Sequence, residues 1–195
     1  MPCVIVISGF PCAGKTRLAS ELRTTLGWPL IAKDELKEVL FDALGCGDRA
    51  WSKRISVAAY AAMFATAREL LDVGHSCMIE GNFRWDANRE QFALLAAMSH
   101  VRTLQVFCTS DVTTLANRFR ARATAGTRHP GQVDEQSAPE LLEELRLRPP
   151  LPLPLDAAII EWDSSRGDLT PRALASQVRE RALILERAAA PDAAT

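Results

Sequence analysis

The sequence is poor in the features that staple or anchor small secreted and membrane proteins. Its five cysteines, Cys3, Cys12, Cys46, Cys77 and Cys108, are odd in number, widely spaced and without a CxxC pair. Neither a disulfide framework nor a zinc site is indicated, and a reduced, cytoplasmic setting is expected. Long hydrophobic runs are missing as well. The apolar stretch within MPCVIVISGF is about six residues, without a basic flank, against the ~20 that a membrane span requires. No export and no membrane anchor are expected. Internal repeats are absent, and low complexity is confined to the Pro-rich 147–155 and an Ala-rich tail after Arg187. An excess of one charge is lacking too: 23 basic and 24 acidic residues leave −1. That balance excludes a chain-wide electrostatic footprint for long nucleic acid or an anionic membrane, though not a local basic patch. Lysine is scarce, being present only as Lys15, Lys33, Lys37 and Lys53 among nineteen arginines, so each lysine is informative.

At 195 residues the chain can bury a full core unaided, and it reads as one domain over 1–190 with a tail at 191–195. Val4 to Ile7 is continuous and β-branched, as a strand buried on both faces should be. Leu18, Ala19, Leu22 and Leu26 recur at helical spacing until Gly27. A short strand, Pro29 to Ala32, precedes a helical pattern with Leu36, Val39 and Leu40 on one side. Residues 42–54 are polar and turn-rich and read as an excursion over the sheet edge. A helix from Ile55 to Val73 follows. Further strands are predicted at Cys77–Glu80, Leu104–Cys108 and Ala158–Trp162, with helices at about 86–98, 112–125, 138–146 and from Pro171 to about Ala189. Strands alternating with helices specify an α/β fold: a doubly wound, mostly parallel five-stranded sheet, helices on both faces, and ligands at the carboxyl ends of the strands.

Directly after the first strand stands Gly9-Phe10-Pro11-Cys12-Ala13-Gly14-Lys15-Thr16, a match to GxxxxGK[ST] at every fixed position. A chance match in this chain is on the order of one in a thousand, and the strand–loop–helix context is also present. A polyphosphate is best held by converging backbone N–H groups at a helix N-terminus, which glycines allow to wrap closely. Lys15 supplies charge between the β- and γ-phosphates, and Thr16 places a hydroxyl on Mg²⁺. Cys12 has two readings: a thiol activated at a helix N-terminus, or a loop position with no redox role.

The chain resembles the small P-loop kinases grouped with the zeta toxins, chloramphenicol phosphotransferase and the 5′-kinase domain of polynucleotide kinases. SGFPCAGKT, AKDELKEVLFDALG, MIEGNF and RFRARATAGTRHPG carry the likeness, over about residues 3–165. The resemblance implies ATP and Mg²⁺ as cofactors and a hydroxyl acceptor, with a helical lid at about 112–136. It implies a carboxylate beside the acceptor after the second strand, where Asp34 stands. Asp34 can take the hydroxyl proton, or it can be an N-cap for the following helix. Glu80 ends the third strand where P-loop enzymes hold Mg²⁺ through a water, although Asp is the commoner residue there in the family.

Beyond it, Asn82 and Arg84 lie where an acceptor should sit, or form an exposed loop pair. In the 112–125 helix, Leu115 and Phe119 lie 40° apart and mark the buried face, Arg118 and Arg122 border it, and Arg120 points away. The resemblance makes Arg118 and Arg122 a clamp on the transferring phosphate; the other reading is a solvated Arg-rich helix. Arg128 and His129 fall in a turn-rich loop able to close over substrate. Trp51 and Arg54 suggest an acceptor wall, with Trp51 equally suited to covering the core. By the same resemblance Arg166 borders the adenine. The expected activity is transfer of the γ-phosphoryl group of ATP to a small-molecule hydroxyl. The alternatives are a polynucleotide 5′-kinase, which balanced charge disfavours, and a nucleotide switch or ATPase without an acceptor.

Overall fold

The computed structural model describes residues 1–148 and 150–187. Its strands are β1 (Cys3–Gly9), β2 (Leu30–Ala32), β3 (Cys77–Glu80), β4 (Arg102–Thr109) and β5 (Ala158–Asp163). They form one sheet in the order β2-β3-β1-β4-β5, and every pairing is parallel rather than mostly so. The helices are α1 (Lys15–Leu26), α2 (Lys33–Leu44), α3 (Arg49–Asp72), α4 (Trp85–Ala96), α5 (Val112–Ala125), α6 (Asp134–Leu147) and α7 (Pro171–Arg187), with a 3₁₀ turn at Pro130–Gln132. The expected tail at 191–195, the domain end at 190 and the last turn to Ala189 lie outside the described residues.

Alternation along β1 divides the interior in two, because successive side chains of a strand leave opposite faces. Cys3, Ile5 and Ile7 enter a core with Leu18 and Leu22 of α1, Leu115 of α5 and Leu174 and Val178 of α7. Val4 and Val6 enter the other, with Met63, Phe64 and Leu71 of α3 and Phe92 of α4. The sheet is thus covered on both faces, which is what allows its strands to be apolar throughout. The connection from β1 runs to one side of it and β4 pairs on the other, so the carboxyl end of β1 opens into the crevice of a topological switch point.

Three local expectations need correction. Residues 42–54 are not an irregular excursion: α2 continues to Leu44, and α3 begins at Arg49 with Asp48 as its cap, accepting from the Trp51 N–H at 2.8 Å. On α2 the inward face is Lys33, Lys37 and Phe41, while Val39 is exposed. Helical period alone picked the apolar side, but α2 packs on α3 and on the 128–133 loop, which bury the lysine stems and the phenyl ring. Asp34 does not cap α2 either; Ala32 holds that position and Asp34 lies inside the first turn.

Candidate functional site

The loop from Gly9 to Thr16 joins β1 to α1. A Cβ at Gly9, where φ is 139°, would lie 2.0 Å from the Cys108 carbonyl oxygen of the neighbouring strand. Only glycine allows that approach. Gly14, at φ 92°, is pressed against the Trp162 ring, 2.9 Å from where its Cβ would stand. Pro11 and Ala13 are buried between these points. α1 opens at Gly14 with no side-chain cap, so its first amides and the loop around them are an anion-binding N-terminus. Cys12 also takes a positive φ, 69°. Burial pushes its thiol pKa up, against the opposing pull of Arg122 and Lys15, so the activated-thiol reading is withdrawn.

Lys15 is 6% exposed. Its Nζ donates to the Phe10 carbonyl at 2.9 Å and to Asn82 Oδ1 at 2.5 Å. Burial lowers its pKa, and the charges of Glu80, Cys108 and Asp34 work the other way. Glu80 pairs in register with Ile7 of β1 and Ala32 of β2. It is buried, which raises its carboxyl pKa against the lowering effect of Lys15. Thr16 is exposed beside Lys15. A hydroxyl and a carboxylate are the hard oxygen donors that suit Mg²⁺, an ion that keeps several waters and binds phosphate oxygens rather than an all-protein cage.

Asp34 stands at the carboxyl end of β2, across β3 from the loop. Its Oδ1 accepts from Lys33 Nζ at 2.8 Å and its Oδ2 from Arg128 Nη2 at 2.6 Å. Burial works to raise its pKa, but the charges of Lys33 and Arg128 outweigh that and hold the carboxyl well below the usual carboxylate range. Arg128 continues to Asp134, Nη1 to Oδ1 at 3.1 Å. Asp134 Oδ2 lies 3.1 Å from Arg122 Nε, close enough for an ion pair but not aligned for a hydrogen bond. Arg122 also covers the Phe119 ring at 4.9 Å. Arg118 Nη1 donates to Ser164 Oγ at 2.9 Å and to the Cys12 carbonyl at 3.4 Å, tying α5 to the phosphate loop and to the loop after β5. Arg120 Nη1 donates to Asn117 Oδ1 of its own helix at 3.2 Å, and Arg120 is exposed. Arg118 is exposed as well, so what separates it from Arg120 is its reach to Ser164 and the Cys12 carbonyl, while Arg122 is half-buried.

The loop after α5 docks along α2, one residue per turn. Besides Arg128 on Asp34, Gln132 Nε2 donates to Glu38 Oε1 at 3.1 Å. His129 Nε2 lies 3.1 Å from Asp42 Oδ1, and its ring stacks on Phe41. Because His129 Nδ1 accepts from the Gly131 N–H at 3.1 Å, Nε2 carries the proton in the neutral ring. Lys37 Nζ donates to Ser52 Oγ at 2.8 Å, and that hydroxyl donates to the Gly131 carbonyl at 2.9 Å.

Lys15, Asp34, Glu80, Asn82, Arg118, Arg122 and Arg128 thus come together under the loop and α5. Other predicted residues lie apart. Arg84 pairs with Glu144 at 2.9 Å and Asp86 at 3.3 Å. Trp51 donates from Nε1 to the Gly45 carbonyl at 2.9 Å with Arg54 over its ring at 5.3 Å. That places both near the far end of α2, about 15 Å of helix from Asp34 at 1.5 Å per residue. His129 is a docking residue about two turns along, and Arg166 pairs with Asp163 at 3.3 Å in the exposed loop after β5. Sequence reasoning missed Lys33, Lys37, Ser52 and Asp134. The rarity of lysine was the available signal: Lys15, Lys33 and Lys37 are all buried.

Residues 4–147 match the AAA domain family. A candidate kinase from Chloroflexus aurantiacus is 36% identical in sequence, with a TM-score of 0.81 over 92% of this chain and 97% of that one. Shikimate kinase from Bacteroides thetaiotaomicron shares the fold at 17% identity and a TM-score of 0.54, over 93% of this chain and 98% of its own. An uncharacterized protein of Mycobacterium tuberculosis is 29% identical over 128 residues, 60% of this chain. The match spans only about a quarter of that curated relative, 25% of its length. Among the described residues no helix is long and apolar enough to cross a membrane. By the family match the chain belongs to the AAA domain family, and its fold is that of the small P-loop kinases.

Proposed function

We propose that this protein is a Mg²⁺-dependent kinase that moves the γ-phosphoryl group of ATP to a hydroxyl of a small molecule. The observation that carries the reading is the glycine-bounded loop at the N-terminus of α1, with Lys15 buried in it and hydrogen-bonded to the Phe10 carbonyl and Asn82. Asp34 follows β2 at the same end of the sheet, Arg128 holds its carboxylate at 2.6 Å, and Arg118 of α5 donates to the Cys12 carbonyl of the loop at 3.4 Å. Phosphoryl transfer needs little covalent chemistry from a protein: positioning and compensation of spreading charge dominate. The glycine-bounded loop and the α1 N-terminus hold the phosphates. Lys15 leaves Asn82 for the β- and γ-oxygens, and Arg118 and Arg122 meet the charge that spreads over the transferring group. Asp34 accepts the acceptor hydroxyl's proton and orients its oxygen. Thr16 and Glu80 would hold Mg²⁺, which supplies charge neutralisation at the phosphate oxygens. Net charge of −1 favours a compact acceptor over a nucleic-acid strand.

The test is a metabolite extract incubated with γ-labelled ATP and the protein. A labelled small-molecule product that disappears with Lys15→Ala supports the reading. Release of labelled phosphate alone, unstimulated by any extract fraction, overturns it in favour of an ATPase or switch.

A further inference from the structure

Arg128 lies at the centre of a chain of alternating charges that runs from α2 to α5. Lys33 holds one oxygen of Asp34 at 2.8 Å and Arg128 the other at 2.6 Å. Arg128 then meets Asp134 at 3.1 Å, and Asp134 meets Arg122 at 3.1 Å. Both oxygens of Asp34 are therefore engaged by cations, and a carboxylate so held is a poor acceptor for a hydroxyl proton. The two cations differ in what carries them. Lys33 is built into the first turn of α2, next to Asp34. Arg128 belongs to a loop that rests on α2 and α3 through a few side-chain contacts, Gln132 to Glu38 at 3.1 Å and the Gly131 carbonyl to Ser52 at 2.9 Å among them.

Arg128 is tied to the helix that reaches the phosphate loop: Asp134 joins it to Arg122 of α5, and Arg118, one turn away on α5, donates to the Cys12 carbonyl at 3.4 Å. With Arg122, Arg128 lines a cavity of about 320 Å³, and the charges of both arginines act on Cys12 within the loop. A triphosphate on the phosphate loop would extend its terminal group toward this arginine network, whose guanidinium at Arg128 is held by Asp34 and Asp134. Carboxylate and phosphate then compete for one bidentate donor.

We propose that the Asp34–Arg128 pair is an interlock between donor and acceptor: the terminal phosphate of the donor draws Arg128 off Asp34, and only then is Asp34 free to take the acceptor's proton. This rests on the kinase reading and extends it. It moves Arg128 from the acceptor wall to the donor side, makes the donor bind before the acceptor reacts, and ties release of Asp34 to a third phosphate. A ligand shifts such an equilibrium only by its differential interaction with the two states. Removing the competing carboxylate therefore tightens triphosphate binding, the opposite of what damage to the site does.

The test is calorimetric titration with a non-hydrolysable ATP analogue and with ADP, each with Mg²⁺, on the full chain. Asp34→Asn is expected to bind the analogue about three- to tenfold more tightly than wild type, with ADP affinity unchanged within about twofold. Asp134→Asn should shift the analogue in the same direction. In an Arg128→Met background, Asp34→Asn should cause no tightening. Unchanged or weaker analogue binding by Asp34→Asn, at a wild-type unfolding midpoint, overturns the interlock. Equal tightening of ADP, or tightening that persists without Arg128, does so as well. Should Asp34→Asn not fold, Asp134→Asn and its Arg128→Met double variant carry the same comparison. Wild-type protein that binds neither nucleotide would overturn the kinase reading itself, whereas binding without selective tightening overturns only the interlock.

Discussion

Gly131→Ala probes whether the loop after α5 must rest on α2. The added methyl would stand 2.3 Å from Phe41 Cδ2 and 2.4 Å from Cγ, well inside contact distance. Phe41 is 1% exposed and stacks on His129 with ring centroids 5.5 Å apart and planes 8° from parallel. The ring can retreat only by breaking that stack, so the loop must lift instead. Lifting loses the Ser52 hydrogen bond to the Gly131 carbonyl and pulls Arg128 from Asp34. Overpacking of this kind costs about 1–3 kcal/mol, which in a chain of this size corresponds to a fall in Tm of roughly 2–12 °C. Because the clash involves Phe41 and no residue of the phosphate loop, affinity for ADP should stay near wild type. Phosphoryl transfer should fall about 10- to 100-fold, since displaced lid groups no longer meet the reacting phosphate in register. Thermal unfolding and a coupled transfer assay read the two effects. A variant with wild-type Tm and turnover refutes the reasoning: the loop would not be held by the close approach of Gly131 to Phe41.

Lys15→Ala should abolish transfer and weaken triphosphate binding, by about 10²–10³ in rate for a preorganised contact; near-normal turnover removes the phosphate-loop assignment. Arg118→Ala and Arg122→Ala should lower kcat more than they weaken ATP binding, while Arg120→Ala stays close to wild type. If the three variants behave alike in steady-state kinetics, the helical-face argument fails. Stability should pass through a maximum with pH. Burial, with Lys33 next, pushes Lys37 from 10.5 down to about 7. Between those values the unfolded chain binds more protons, so stability rises with pH. Burial lifts the thiols of Cys3, Cys77 and Cys108 from 9.0 to about 12. Above pH 9 the folded chain therefore binds more protons and stability falls. Tm measured from pH 7 to 10 should climb and then turn over, and Lys37→Met should flatten the climb; an equal climb in that variant assigns the slope to other groups.

Local sequence was sufficient for the α/β alternation and for the phosphate-loop motif. The phosphate loop is contiguous and its motif is legible without the fold, although the close approaches that require its glycines come from Cys108 and Trp162 on distant strands; strand periods report burial directly. The 100° step of α5 separated Arg118 and Arg122 from Arg120 for the same reason: one helix determines the relative directions of its own side chains. Where the reading failed, the deciding contact came from far along the chain. Asp34 reads in the sequence as a proton acceptor or a helix cap, and neither reading reveals that Arg128, 94 residues away, holds its carboxylate. Lys37 was placed on no face of α2 by its polarity, yet α3 and the Gly131 carbonyl bury it. Trp51 and Arg54 have the chemistry of an acceptor wall and sit instead at the far end of α2. A sequence pattern reports which face of an element is apolar. Which charged groups share a site depends on how α2, α3 and the loop after α5 pack, because ion pairs form between side chains whose separation only that packing sets.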